Sequence, residues 1–156
     1  MPTDFKTLKD WQIFFALIVT AFILLLAVYP FTMVGGDEGR FVQDALRISR
    51  GEIPIADYGT RAPILSFFVN LFTALFGRSL FIFRLPVMLF SALTGGFIFL
   101  LGKELFHRHV GILASLIYAS VPFTLWHNVV IKSEALEILL VAAAAWFFVR
   151  GLKSGR

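Results

Sequence analysis

The chain has 156 residues, 58% of them hydrophobic and 15% charged, with a mean hydropathy of +0.84. Soluble domains carry roughly 45–50% apolar and about 25% charged residues, so a water-borne globule is excluded. Nineteen phenylalanines exclude a disordered chain, and the lack of cysteine excludes a disulfide scaffold, a thiolate zinc site and a cysteine nucleophile. The formal net charge of +4 includes no basic run or basic helix face, so nucleic acid is not an expected partner.

A helix that crosses a bilayer needs about 20 mostly apolar residues. Residues 1–10 read as a tail, and Trp11 to Val34 reads as a first span without a charge, closed by Pro30 and Gly35-Gly36. No small-residue cleavage site follows, so the span is expected to be retained. Residues 35–63 form the only long polar stretch, with five acids and four arginines. Within it, Asp37 to Arg50 places Phe41, Val42, Ala45 and Leu46 at helical spacing, as in an amphipathic helix at the membrane surface with its polar face outward. Arg40–Asp44 and Asp44–Arg47 have the spacing of helical ion pairs. Gly51 to Pro54 ends that helix, and Asp57-Tyr58-Gly59 reads as a turn.

Ile64 to Phe76 is apolar but short for a span, and Ser66, Asn70 and Thr73 share one helix face. Residues 64–77 are therefore expected to form a second interfacial helix, capped by Gly77. Three more spans follow: Leu85 to Gly102, Val110 to Trp126 with Pro122 near one end, and Ala135 to Val149. Gly95-Gly96 and Ala142–Ala145 are small-residue stretches suited to close helix packing. The expected fold is an all-α integral membrane protein with about four transmembrane helices and two interfacial helices.

If residues 64–77 do not cross and the N-terminus is cytoplasmic, Lys103 and Arg108 fall inside, as the positive-inside rule asks. Asp37, Glu38, Glu134 and Glu137 then share the outer face. For Asp37 and Glu38 two readings stand side by side: helix capping, and a carboxylate poised as general base or metal ligand. Ser133 could cap the last helix, with Glu134 in its first turn and Glu137 one turn deeper. Acids at that depth usually face a cavity or a partner. Arg61, Arg78, Arg84 and Lys132 lie on the same side, either snorkelling or holding an anionic headgroup or phosphate. His107 and His109 read as solvated, and His127 as a boundary residue. No glycine-rich phosphate loop, Ser/His/Asp pattern or metal motif is present.

Five short stretches recur in a recognisable order: Gly36-Asp37-Glu38-Gly39-Arg40, Arg61-Ala62-Pro63, Phe76-Gly77-Arg78-Ser79, Arg84-Leu85-Pro86 and Ser133-Glu134-Ala135-Leu136. The order resembles the N-terminal module of the GT-C glycosyltransferases, nearest to the protein O-mannosyltransferase-like and lipid A aminoarabinose transferase families. That resemblance implies transfer of a sugar from a polyprenyl-phosphate donor to a lipid, glycan or protein acceptor at the extracytoplasmic face, with inversion. It implies Asp37 as general base, Glu38 as its support or an acceptor contact, and Glu134 as a second acidic position, with Glu137 beside it. Arg61 stands where relatives have Lys in a Lys-Pro-Pro element, so Arg61, with Arg84 and Lys132, is expected to bind the donor phosphate. The metal requirement is open, with Mg or Mn as the possible divalent cation. The expected location is the cell (plasma or inner) membrane, with multiple passes among membrane lipids and a cytoplasmic N-terminus. Members of these families are several times longer, so residues 11–156 are expected to be an incomplete part of a larger enzyme. The rival expectation is a small non-catalytic accessory or lipid-binding protein derived from that fold.

Overall fold

The computed structural model describes residues 8–32, 36–60 and 63–155. Among these the chain is helical throughout, with no named strand. Helix α1 (Asp10–Val28) begins where the Gln12 side chain accepts from the Lys9 backbone N–H at 2.8 Å. Ile13, Leu17, Ala21 and Leu25, four residues apart, form its buried stripe. Trp11, Phe15, Val19 and Ile23 face outward, as suits lipid. A 3₁₀ turn at Tyr29–Phe31, set by Pro30, follows, and the expected end at Val34 lies outside the described residues.

Helices α2 (Gly36–Ile48) and α3 (Pro63–Phe76) pack together, and α3 also packs on α4 (Leu80–Leu105). The polar stripe of α3 faces inward: Ser66 and Thr73 are buried beside Leu65 and Val69, while Ile64, Phe67, Leu71 and Leu75 face out. Ser79 opens α4 by accepting from the Ile82 N–H at 3.3 Å, earlier than the expected start at Leu85. This places Arg84 inside the helix. α4 is the central element and touches α1, α3, α5 (Arg108–Ser120) and α7 (Glu134–Ser154).

Three helices are long and apolar enough to cross a membrane: α1 with its 3₁₀ turn, α4 and α7. The expected span Val110–Trp126 is instead divided into α5 and the short α6 (Pro122–His127). Val121, preceding a proline, adopts φ −64° and ψ 123°, because the proline ring disfavours a helical residue before it. His107 is not merely solvated, since its ring nitrogen accepts from the Val110 N–H and caps α5.

Ion pairs fix the direction of the helices. Lys103, near the end of α4, lies 2.5 Å from Asp10 at the start of α1, and Arg108 lies 3.6 Å from the same carboxylate. Lys153 near the end of α7 pairs with Glu104 at 3.8 Å. At the opposite end, Arg84 in the first turns of α4 bonds to Thr32, just beyond α1. α1 and α4 are therefore antiparallel, with Thr32 after the one and Arg84 near the start of the other at the same end of the bundle.

Small residues close the bundle. A Cβ on Gly96 would meet Phe14 at 2.7 Å, so this glycine lets α1 approach α4, as its sequence suggests. Gly102 meets Gly111 backbone to backbone, where a Cβ on Gly102 would fall 2.8 Å from the Gly111 Cα. Of the alanine run, Ala142 is buried, while much of α7 faces outward.

Candidate functional site

A pocket of about 210 Å³ opens at the end of the bundle where α2 meets the start of α7. It is lined by Asp37, Arg40, Phe41 and Thr60 from one side and Lys132, Ser133, Glu134 and Glu137 from the other. Residues nearly a hundred positions apart thus meet, including four expected site residues: Asp37, Lys132, Glu134 and Glu137. Asp37 occupies the first turn of α2 and is exposed to the pocket mouth, where the helix dipole favours an anion.

Glu38 and Arg84 do not line this pocket. They form a bidentate ion pair behind it, with Arg84 Nε donating to Glu38 Oε1 and Nη2 to Oε2, both at 2.8 Å. Arg84 is 0% exposed and Glu38 is 1% exposed. The Ile131 N–H donates to Glu38 Oε1 at 3.0 Å, and Arg84 Nη1 donates to Thr32 Oγ1 at 2.6 Å. The Arg84 guanidinium also lies 5.6 Å from the Tyr29 ring centre. A single buried knot therefore joins the end of α1, the start of α2, α4 and the segment leading to Lys132. Ile131, which bonds to this knot, belongs to a buried apolar cluster with Ala45, Leu65, Val69, Val87 and Ala135.

Three local expectations are corrected. The pairs Arg40–Asp44 and Asp44–Arg47 do not form, because α2 turns Asp44 inward, 5% exposed, where its carboxylate accepts from Thr60 Oγ1 at 2.6 Å. Arg47 reaches Glu52 at 3.7 Å and lies over the Tyr58 ring. Ser133 does not cap α7. Its backbone is already helical, at φ −64° and ψ −29°, and a side-chain cap needs an extended residue there. Its hydroxyl turns to Glu134 instead, at 3.5 Å.

Arg61 lies outside the described residues, although its neighbour Thr60 lines the pocket. Arg40 and Phe41 were read from the sequence only as parts of the amphipathic helix and its motif, not as site residues, and Thr60 was not singled out. Arg40 stands three residues beyond Asp37 on the same helix face, a spacing that could have flagged it. Thr60 carries no such signal, because only its bond to Asp44 places it.

A second, more apolar cavity of about 280 Å³ adjoins the first and shares Lys132 and Glu134 with it. Phe123, His127, Asn128, Ala135 and Ile138 complete its lining. Lys132 Nζ donates to His127 Nδ1 at 3.1 Å, in the tautomer that carries the ring proton on Nε2. His127, a boundary residue by sequence, therefore holds the lysine between the two cavities. Among the described residues no group of three or more His, Asp or Glu side chains is placed to hold a metal ion.

The comparisons with known proteins point one way. The family described as dolichyl-phosphate-mannose-protein mannosyltransferase matches residues 60–156. The matched stretch takes in Thr60, Arg84, Lys132, Glu134 and Glu137, and begins after Asp37 and Glu38. No curated protein and no solved structure matches the chain. More than half of the chain lies within the family match, and the helical membrane fold agrees with it: the chain belongs to the dolichyl-phosphate-mannose-protein mannosyltransferase family, as a GT-C mannosyltransferase-like module.

Proposed function

We propose that the pocket between α2 and α7 is the transfer site of a glycosyltransferase that takes a sugar from a polyprenyl-phosphate donor. The observation that carries this is the meeting of Asp37 with Lys132, Glu134 and Glu137 in one pocket beside an apolar cavity. A phosphate-linked lipid sugar needs cations for its phosphate, carboxylates for its reaction and apolar walls for its chain.

In this reading Asp37 takes the proton from an acceptor hydroxyl as that oxygen bonds to the anomeric carbon. The bond from that carbon to the phosphate oxygen breaks, and the polyprenyl phosphate leaves with the electron pair. One displacement inverts the sugar centre. Lys132 and Arg40 line the pocket as cations able to stabilise the leaving phosphate, joined in the proposal by Arg61. Glu134 and Glu137 orient sugar or acceptor hydroxyls. Glu38 and Arg84 act as positioning residues, since Arg84 is wholly buried and its donors are engaged by Glu38 and Thr32. This replaces the expected contact of Arg84 with phosphate. The acceptor is a lipid, glycan or protein hydroxyl on the extracytoplasmic side of the plasma membrane, opposite the end that gathers Lys103, Arg108 and Lys153.

Asp37→Asn is the test. General-base catalysis contributes typically 10²–10⁴-fold, so transfer should fall by roughly that factor while membrane insertion is unchanged. Full transfer by Asp37→Asn would overturn Asp37 as the base, whereas an unchanged cellular function with Asp37, Glu38 and Glu134 all changed to Ala would support the non-catalytic accessory protein instead.

A further inference from the structure

The corner where α2 and α3 both end carries a feature that the pocket does not use. Arg78, just past α3, donates to Ser49 Oγ, just past α2, at 3.4 Å. From this corner the loop Gly51–Tyr58 projects Ile53 and Ile55, which are 62% and 74% exposed. Ile55 has φ +75°, in the left-handed region that a β-branched residue adopts only when its surroundings impose it.

Those surroundings are visible. Ile55 N–H donates to the Tyr58 carbonyl at 2.8 Å, and Ile53 N–H donates to Asp57 Oδ2 at 2.6 Å. Tyr58 is buried, its hydroxyl donating to the Asp44 carbonyl at 3.2 Å with Arg47 stacked on its ring. These bonds brace the tip, from which two aliphatic side chains point away from the protein. Both nearby acids are engaged, Glu52 by Arg47 and Asp57 by the Ile53 N–H. Arg50 and Arg78 are exposed, and among the described residues neither pairs with a carboxylate. Leu75 and Phe76, at the end of the outward apolar face of α3, are exposed next to Arg78.

We propose that this loop is a membrane-surface anchor. Ile53 and Ile55 enter the acyl boundary of the leaflet on the pocket side, and Arg50 and Arg78 hold lipid phosphates at headgroup level. Aliphatic tips beside cations that no carboxylate among the described residues neutralises match an anionic bilayer surface, and the outward face of α3 continues the same apolar surface. The anchor also steadies the pocket wall, because the loop returns through Tyr58 and Thr60, both bonded to Asp44. The inference stands whether or not the pocket is catalytic.

The absence of native cysteine makes single-site labelling direct. Ile53→Cys, Ile55→Cys and Gln43→Cys, the last on an exposed position of α2, would carry an environment-sensitive fluorophore in the protein reconstituted into vesicles. The vesicles are phosphatidylcholine with a minority of phosphatidylglycerol, bearing nitroxide on an acyl chain or exposed to aqueous iodide. Positions 53 and 55 should show blue-shifted emission and several-fold stronger quenching by the lipid nitroxide than position 43, with the reverse order for iodide. Arg50→Gln with Arg78→Gln should lower the nitroxide quenching at 55. Iodide quenching at 53 and 55 equal to that at 43 would overturn the proposal. Protection from both quenchers would overturn it as well, since the loop would then lie against protein.

Discussion

Glu38 and Arg84 show how a charged pair can be tolerated inside an apolar bundle. Both guanidinium-to-carboxylate bonds are short, and the Ile131 N–H and Thr32 hydroxyl occupy further valences. Removing one partner of such a pair leaves an uncompensated buried charge, at a cost of about 3–5 kcal/mol. Arg84→Met should therefore lower the melting temperature in detergent strongly, and adding Glu38→Leu to it should restore much of the loss. The double variant should still transfer poorly, because the segment holding Lys132 loses its tie to Glu38. Tyr58 gives a second prediction. Burial, and after it the carboxylates of Asp44 and Glu52, push its hydroxyl above the ordinary value of 10.0. The stability from this group is fully present below pH 10.0 and is lost as pH rises through the raised folded value. Protease cleavage of the 51–60 loop should accelerate above that pH, and Tyr58→Phe should remove the acceleration. Asp37, Lys132, Glu134 and Glu137 were legible as site candidates because charge beside apolar spans is costly and therefore conspicuous. The inward turn of Asp44 and the Glu38–Arg84 partnership were not, since pairing across 46 positions leaves no local pattern.

At the scale of elements, hydropathy and length were enough to find α1, α4 and α7. The short apolar stretch that became α3 was legible as a helix. Its direction of facing was not, because Ser66 and Thr73 turn inward against α2 and α4 while Ile64, Phe67, Leu71 and Leu75 face out, the reverse of a water-exposed helix. The break between α5 and α6 was signalled by Pro122, whose effect on Val121 is local. The Gly102–Gly111 crossing was not legible, since nothing in either segment announces that two backbones touch. The two glycine contacts should respond differently to substitution. A Cβ at Gly111 meets the Phe99 carbonyl and lies 2.9 Å from the Lys103 nitrogen, both backbone atoms, whereas one at Gly96 meets the side-chain ends of Phe14 and Ile18. Gly111→Ala should cost about 1–3 kcal/mol, typical of overpacking, and Gly96→Ala clearly less. Thermal melting of the two variants in the same detergent checks the order.

For the whole molecule, the ion pairs at one end of the bundle and the Arg84–Thr32 hydrogen bond at the other align α1, α4, α5–α6 and α7 in alternating directions. That alignment brings the α2 and α7 carboxylates to one end, which the sequence could suggest only by choosing a topology. Family membership gives the module its lineage, and the proposal places the chemistry in the pocket lined by Asp37, Lys132, Glu134 and Glu137. The most direct test uses a photoreactive polyprenyl-phosphate sugar in native membranes, followed by mapping of the labelled peptides. Label should fall on residues 37–41 and 132–138, disappear on competition with polyprenyl-phosphate mannose, and weaken in Lys132→Gln. Specific labelling confined to other segments, or labelling of these segments that the competitor leaves unchanged, would contradict the assignment of this pocket as the transfer site.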